Sequence, residues 1–177
     1  MATLVEIVPY DPTWPGRHLE IEGTLRQLLG ARVVAVDHIG STSIPGMPAK
    51  PIIDIDVTVR GMPDIAAASA SLIDAGYQPR GNRYHDDVWA FMLHGVEPKQ
   101  RVYLCLPENE THRQRLVFRD YLRSHEESAK AYAALKARLA EAFRYDGDRY
   151  TAEKSNFINE IVSRATQLGA AGKQTGT

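Results

Sequence analysis

Two aspartates inside an otherwise apolar run, Asp54 and Asp56, have the residue type and spacing that most directly suggest chemistry. They stand in the segment IIDIDVTV, residues 52–59, which has the pattern of a β-strand. Because side chains alternate across a strand, both carboxylates are expected on one face and the neighbouring isoleucines on the other. Two carboxylates this close repel each other, and a hard cation such as Mg²⁺, which prefers oxygen ligands, would compensate them. The alternative is a strand that simply exposes this face to water.

The loop ahead of this strand has the composition of a phosphate-binding segment. It carries the Gly40-Ser41 step, the hydroxyls of Thr42 and Ser43, and Lys50 near its end. Glycine lets a backbone approach a phosphate closely, and successive loop N–H groups can form an anion nest. The hydroxyls could instead only cap a turn, although Ser41 is favoured for phosphate. Lys50 could neutralise the aspartates, contact a γ-phosphate, or be an exposed loop lysine.

Polar residues elsewhere in the chain could complete such a site. His38 could act as a base or orient an aspartate or a phosphate, or it could be a hydrogen-bonded histidine at a strand end. Arg115, Arg119 and Arg123 recur every four residues and form one stripe on a helix, which could face an anion or its own acidic neighbours. Lys154, on a late helical segment, could reach phosphates or lie on the surface.

The periodicity of the chain predicts the elements that must position these residues. Strands are expected over residues 4–8, 33–38, 52–59, 77–81, 87–95 and 101–107, with helices over 11–29 and 63–75. After residue 110 three further segments have the helical period. The fold class is therefore α/β (α+β), a small mixed sheet flanked by helices and followed by a helical part. We expect one domain over residues 1–168, divided into a sheet-containing core (1–109) and a helical part (110–168), and a disordered tail over 169–177.

The bulk composition is that of an ordinary globular protein. The chain has 177 residues, a hydrophobic fraction of 44% and a formal net charge of -1, so neither nucleic acid nor a membrane surface is expected as a partner. Cys105 is its single cysteine, and no intrachain disulfide can form. The start of the chain lacks the pattern of a signal peptide, and no apolar run is long enough to span a membrane. A cytoplasmic location is the expectation.

A long motif resembles the signature of a known family. HIGSTSIPGMPAKPIIDIDV, residues 38–57, is similar to the central motif of the GrpB-type family, also called UPF0157, a branch of the nucleotidyltransferase superfamily. YDPTWP near the start, FRDYLR at 118–123, and Tyr150 with Lys154 resemble further motifs of that family in the same order. The likeness covers residues 5 to about 165.

The resemblance implies the mixed-sheet fold of the superfamily, with binding of NTP and Mg²⁺. It also exposes a departure, because active members of the superfamily commonly add a third carboxylate on a later strand. The candidate strand here, RVYLCLP at 101–107, holds no acid and has Cys105 where GrpB-type relatives often place a histidine. A thiol is a poor ligand for Mg²⁺. Cys105 with His38 and the aspartates could instead form a soft-metal site, although a lone cysteine on a strand is more often a small buried hydrophobe.

Two functions follow from these residues and this resemblance. The first is a Mg²⁺-dependent nucleotidyltransferase-like enzyme that transfers a nucleoside monophosphate from an NTP to a small acceptor, or activates that acceptor with NTP. Its site would comprise the metal ligands Asp54 and Asp56, the base His38, and the phosphate-binding residues Gly40, Ser41, Thr42, Ser43, Lys50, Arg119 and Lys154. The second is a catalytically degenerate module that binds a nucleotide or coenzyme A, since similar domains look to be fused to dephospho-CoA kinases. The intact motif favours the enzyme, and the missing third acid favours the module.

Overall fold

The computed structural model describes residues 4–82 and 84–174 of the chain, with side chains described up to residue 169. The strands of this part are β1 (Val33–Ile39), β2 (Ile52–Val59), β3 (Gln78–Gly81), β4 (Trp89–Leu93) and β5 (Lys99–Cys105). Its helices are α1 (Trp14–Leu29), α2 (Met62–Asp74), α3 (Glu110–Ser124), α4 (Glu126–Ala142), α5 (Gly147–Ala152) and α6 (Ser155–Gln174).

The strands form one mixed sheet in the order β1-β2-β5-β4-β3. β2 pairs with β5 in parallel, and the other neighbours pair antiparallel. β2 therefore has a partner on both sides. The register sets Asp56 opposite Asp37 of β1, and it pairs Asp54 with Arg101 of β5.

The two faces of β2 pack against different parts of the chain. Ile53, Ile55 and Val57 are fully buried in an apolar cluster with residues of α1 and α2. This burial of apolar surface is the main favourable term that holds those helices on the sheet. The opposite face carries Asp54 and Asp56, and α3 lies against it.

The helical part has its own apolar cluster, which reaches into the loop between β1 and β2. Ile44 and Met47 of that loop are buried against residues of α3, α4 and α6. The loop that follows Gly40 is therefore packed by the helical part, and its conformation depends on helices more than 60 residues later in the chain.

The predicted fold class is confirmed, and β2 has the predicted bounds. The strand predicted at residues 4–8 is wrong, because only Val8 forms an isolated bridge, with Ala49, while the N–H of Val5 donates to the carbonyl of Arg144. α6 continues to Gln174, beyond the predicted helix end at 168, and residues 175–177 of the predicted tail lie outside the described residues. Among the described residues, no helix has the length and apolar character needed to cross a membrane.

Candidate functional site

The Gly40-Ser41 step lies directly against the first aspartate of β2. A Cβ atom built on Gly40 would stand 2.8 Å from Oδ2 of Asp54, and the φ of Gly40 is +70°. An L-residue with a side chain is disfavoured at this φ, and it would also collide with the carboxylate. Glycine is therefore required here by both the backbone conformation and the close approach.

Asp56 is neutralised from α3. Its side chain has no solvent exposure, and Oδ1 accepts a hydrogen bond from Nη1 of Arg115 at 2.7 Å. Oδ2 lies 3.0 Å from Nδ1 of His112, which donates to it. An ionised carboxylate survives burial only when it is paired and hydrogen-bonded, and α3 supplies both partners.

Asp54 is neutralised from β5. Its Oδ1 lies 3.3 Å from Nη1 of Arg101, and the negative charge of Asp54 raises the pKa of that guanidinium. The angles of this ion pair do not make a hydrogen bond, so Oδ1 is buried without a donor. The Asp54 side chain is 20% exposed, in contrast to the fully buried Asp56.

A metal ion shared by Asp54 and Asp56 does not fit this arrangement. Both oxygens of Asp56 already accept hydrogen bonds, and a guanidinium stands beside each carboxylate. Within the described ranges, no group of three His, Cys, Asp or Glu side chains is placed to hold a metal ion. Of the two carboxylates, only that of Asp54 keeps an oxygen without a hydrogen-bond donor, which could ligate a cation.

A further carboxylate lies beside this pair, on β1. Asp37 faces Asp56 across the antiparallel strands, with Oδ2 3.9 Å from Nε2 of His112 and Oδ1 3.8 Å from Nη1 of Arg119. The sequence had placed the candidate for a third acid on the later strand, with Asp86, Asp87 and Glu108 as substitutes outside it; on that strand the register sets Arg101 beside Asp54. Directly opposed residues of antiparallel strands share a face, so the pairing of β1 with β2 was the information that would have identified Asp37.

Two lysines lie together over one tyrosine ring, and the negative charge of Asp54 acts on both of them. Nζ of Lys154 lies 4.3 Å from the ring centroid of Tyr150, and Nζ of Lys50 lies 4.6 Å from the same centroid. Burial lowers the pKa of Lys154 to about 8, and the positive charges of Lys50 and Arg101 act in the same direction. Burial also lowers the pKa of Lys50, with Arg101 again as a contributing cation. These three side chains, Lys50, Arg101 and Lys154, are called the cation cluster below.

A fourth cation, Lys136 of α4, is buried near Lys154 of the cation cluster. It is only 1% exposed. Its Nζ donates a hydrogen bond to the carbonyl of Pro48 and lies 5.1 Å from the ring centroid of Tyr132. Burial lowers its pKa to about 7, and the charge of Lys154 contributes. Tyr132 is itself buried, which raises its pKa to about 12, while a hydrogen bond with Ser41 opposes that rise. Residues of α4 therefore contact the loop between β1 and β2 and also lie near the cation cluster.

Of the predicted phosphate-binding residues, Gly40 contacts Asp54, and the charge of Asp54 acts on Lys50 and Lys154. Ser41 follows Gly40 and bonds to Tyr132. Thr42 and Ser43 are buried and serve the loop itself. The hydroxyl of Thr42 contacts Nε2 of His38 and the carbonyl of Ile52, and the hydroxyl of Ser43 donates to the carbonyl of Gly40 at 2.6 Å.

His38, the predicted base, lies apart from the aspartates. It is paired with Ile55 in the strand register, which sets it on the opposite face of the sheet from Asp54 and Asp56. Its ring stacks on that of His18 with centroids 4.6 Å apart. Burial lowers its pKa to about 3, so the ring is neutral at ordinary pH. This geometry favours the structural role for His38 over the predicted role of a base.

The arginine stripe of α3 contacts the backbone of the motif. Nη1 of Arg119 donates to the carbonyl of His38 at 3.0 Å, and Nε and Nη2 of Arg123 donate to the carbonyl of Ser43 at 2.9 and 2.7 Å. Together with the Arg115 contact to Asp56, these bonds tie α3 to β1, β2 and their connecting loop. Arg119, the predicted ligand contact, therefore lies outside the cation cluster.

Cys105 is fully buried and unpaired. Burial raises the pKa of its thiol to about 12, so it is protonated and a poor metal ligand at neutral pH. It is paired with Thr58 in the sheet register, on the face of β2 opposite to His38. The proposed soft-metal site of Cys105 with His38 is therefore not formed.

Several residues of the site were not predicted from the sequence, although the positions of two of them within their helix or strand could have indicated a role. Lys136 stands between Tyr132 and Leu139 at helical spacing, so a lysine occupies the buried stripe of α4. Arg101 lies on the face of β5 that also carries Tyr103 and Cys105. A cation within an apolar stripe is a sign of a buried partner or ligand. His112 and Arg115 had no such signal, because only tertiary packing sets them against Asp56.

The fold defines the class of protein. A solved structure of the Cid1 poly(U) polymerase, with Mg and 3'-dATP bound, matches with a TM-score of 0.53 at 15% identity, over 76% of this chain and 43% of that one. At this identity the likeness concerns the fold alone. The chain has the nucleotidyltransferase-like mixed sheet with flanking helices.

The chain belongs to the GrpB family, since residues 4–164 match the family described as GrpB protein. A UPF0157 protein of Deinococcus radiodurans is 40% identical over 167 residues, which cover 92% of this chain and 84% of that protein. The conserved protein GrpB from Enterococcus faecalis, known from a crystal structure, matches with a TM-score of 0.83 at 29% identity, over 92% and 98% of the two chains. The predicted family is confirmed.

Some relatives are longer proteins. The UPF0157 protein YqkA of Bacillus subtilis is 34% identical over 161 residues, and this chain spans about half of its length, 47%. A protein of Mycolicibacterium paratuberculosis named dephospho-CoA kinase is 28% identical over 187 residues, which cover 91% of this chain and 46% of that protein. The GrpB-type sequence therefore also occurs as about half of a larger chain.

Proposed function

We propose that this chain binds a phosphorylated nucleotide, with the phosphate groups between the Gly40-Ser41 step and the cation cluster. The single observation that carries the proposal is the gathering of Lys50, Arg101 and Lys154 around one partly exposed carboxylate, Asp54. Cations held close together repel one another, and a polyanion relieves that repulsion.

The loop geometry supports the same ligand. Because Gly40 has no side chain, its backbone comes close to the carboxylate of Asp54, to which the cations are also directed. Ser41 is partly exposed beside Tyr132, whereas Thr42 and Ser43 are buried. Ser41 is therefore the hydroxyl that can donate to a phosphate oxygen.

The relatives suggest which nucleotides to test. Cid1 has been solved with a UTP analog, with Mg and 3'-dATP and with MgGTP, and the longer relative is named for dephospho-CoA. We therefore place nucleoside triphosphates and coenzyme A-type molecules first among the ligands to test with this chain.

The test is direct binding measured by isothermal titration calorimetry. ATP, CTP, GTP, UTP, coenzyme A and dephospho-CoA would be titrated into the chain in low salt. We expect at least one to bind, and Lys154→Met to weaken that binding by about tenfold or more, because a charge-assisted contact is lost. Lys130→Met is the matched control, since Lys130 is an exposed lysine on α4 that pairs with Glu126 and Glu127. Absence of binding by all six compounds would refute the proposal.

A second candidate is the transfer of a nucleoside monophosphate from the bound NTP to a small acceptor with the help of Mg²⁺. The observation that favours it is the Oδ1 of Asp54, buried without a hydrogen-bond donor beside the glycine. With Mg²⁺ bound, Asp54 would be its one ligand from the acid pair, and the ion would neutralise charge that develops on the phosphates.

Pyrophosphate release tests this second candidate. The chain would be incubated with each NTP, Mg²⁺ and a set of small acceptors bearing hydroxyl or amino groups. We expect release in the native chain and loss of release in Asp54→Asn. If a bound NTP yields no pyrophosphate with any acceptor, the binding module stands and the transferase does not.

A further inference from the structure

We infer that the phosphates of this ligand are held without a divalent metal ion, by the guanidinium of Arg101 acting with the ammonium groups of Lys50 and Lys154. The inference rests on the proposed nucleotide-binding function and not on the Mg²⁺-dependent transfer, with which it competes. It names the positive groups that contact the phosphates. In this arrangement the side chains of the protein supply the positive charge that a metal ion would otherwise supply.

The position of Arg101 is fixed by the sheet. The parallel register of β2 and β5 sets it beside Asp54, and its Nη1 contacts both Oδ1 of Asp54 at 3.3 Å and the hydroxyl of Tyr103 at 3.5 Å. Both contacts use the same nitrogen of a group that has five N–H donors. The side chain is 34% exposed, so the guanidinium is oriented by the protein and still accessible to an anion.

The second aspartate cannot join a metal site without loss of the α3 contacts. Asp56 has no exposure, and its two oxygens are bonded to Arg115 and His112. Release of Asp56 toward a metal would leave the Arg115 guanidinium without its buried partner, which is costly. Paired acids normally give a divalent ion two carboxylate ligands. Here the second carboxylate, Asp56, instead holds α3 on the sheet.

The charge balance of the site favours an anion over a cation. The cations Lys50, Arg101 and Lys154 act on Asp54 or on one another, and Lys136 acts with Lys154, whereas the acids that act on the cluster are Asp54 and Asp148. A divalent cation that enters this field meets net positive charge, whereas a diphosphate or triphosphate compensates it. Arginine also recognises phosphate with two parallel N–H donors, which gives the contact a defined geometry.

The experiment compares binding in EDTA with binding in MgCl₂. ATP and inorganic triphosphate serve as probes, and the dissociation constant of each is measured by calorimetry at the same ionic strength. We expect the two conditions to agree within about threefold, which is less than 1 kcal/mol. Binding in MgCl₂ that vanishes in EDTA overturns this inference and leaves the proposed nucleotide binding intact. Failure of both probes, together with the other nucleotides, in both conditions would instead remove the proposed function and this inference with it.

Two variants separate the arginine from a metal ligand. In EDTA, Arg101→Met should weaken both probes by about tenfold or more, while Arg138→Met, at an exposed position of α4, should change neither. Asp54→Asn should tighten both probes in either condition, because it removes a negative charge beside the phosphates. Weakening of ATP by Asp54→Asn in MgCl₂ alone would identify a metal ligand and overturn the inference.

A folding control keeps the test decisive. Arg101→Met removes a partly buried ion pair, so its thermal unfolding and circular dichroism are compared with those of the native chain. If that variant does not fold, Lys154→Met in EDTA takes its place. Unchanged affinity for triphosphate in a folded Lys154→Met variant would overturn the inference.

Discussion

Nη1 of Arg115 lies 2.7 Å from Oδ1 of Asp56, and this contact joins the middle of β2 to a helix 59 residues later in the chain. The carboxylate has no solvent exposure, and the arginine side chain is 23% exposed. The pair therefore holds the helical part on the face of the sheet that carries the candidate site.

Substitution of Arg115 by methionine is expected to destabilise the chain strongly. The change leaves Asp56 buried with only His112 as a donor, and breaking a buried pair in this way costs about 3–5 kcal/mol. Urea unfolding followed by circular dichroism measures the free energy of unfolding of the variant.

The double variant Asp56→Asn/Arg115→Met is the control for this prediction. It removes both charges, so it should be less destabilised than Arg115→Met alone. If the losses of unfolding free energy in Asp56→Asn and Arg115→Met simply add in the double variant, the two side chains are not energetically coupled.

Substitution of Gly40 by alanine is expected to destabilise the chain more than the same change at Gly46. Both glycines have positive φ, +70° and +75°, so both variants should lose about 1–2 kcal/mol from backbone strain. Only at Gly40 does the new methyl group meet the carboxylate of Asp54, whereas the space around Gly46 is open within 4 Å. Chemical denaturation of the two variants gives the comparison. Equal losses of unfolding free energy would show that the Asp54 side chain moves away from the new methyl group at no cost.

The free energy of unfolding should rise with pH because of Lys136. Burial lowers the pKa of this lysine from 10.5 to about 7, so between these values the unfolded chain binds more protons than the folded chain. Stability from this group is therefore fully present above pH 10.5 and lost as the pH falls toward about 7. The slope from one such group is at most about 1.4 kcal/mol per pH unit.

The variant Lys136→Met isolates this contribution. Its free energy of unfolding should rise less steeply than that of the native chain between about pH 7.5 and about pH 9. The exposed lysine variant Lys130→Met provides the comparison, since it retains Lys136. Parallel slopes in the native chain and Lys136→Met would contradict the depressed pKa.

Affinity for a phosphorylated ligand should fall as the pH rises through the pKa of Lys154, about 8. Bound phosphates stabilise the charged ammonium and raise its pKa, so binding takes up a proton where the free site is partly neutral. We expect the dissociation constant to increase by up to about tenfold per pH unit above that value. Calorimetry in two buffers of different ionisation enthalpy would detect the proton uptake, and Lys154→Met should reduce it.

The local elements were largely predictable from the sequence. The alternation of Ile53, Asp54, Ile55 and Asp56 correctly gave both the strand and the common face of its carboxylates, because a side-chain period of two follows from strand geometry alone. The segment at residues 4–8 was wrong because apolar pattern does not determine pairing. Its backbone bonds to Ala49 and Arg144 instead of to the sheet.

The neutralisation of the aspartates could not be predicted in the same way. Arg101 meets Asp54 only through the parallel register of β2 with β5, and Arg115 meets Asp56 only because α3 packs on that face. His38 is the first residue of the motif that contains both acids, yet it lies on the opposite face of the sheet from them. Successive residues of a strand point to opposite faces of the sheet, so residues that are close in sequence need not be close in space.

By itself the sequence determined the family, the strand with its paired acids, and the glycine-serine loop, because these are properties of contiguous residues. The tertiary structure decided which charges meet, and it set an arginine rather than a third carboxylate beside Asp54. Electrostatic interactions depend on distance and burial. Both quantities are fixed only when strands from distant parts of the chain pair and the C-terminal helices cover them.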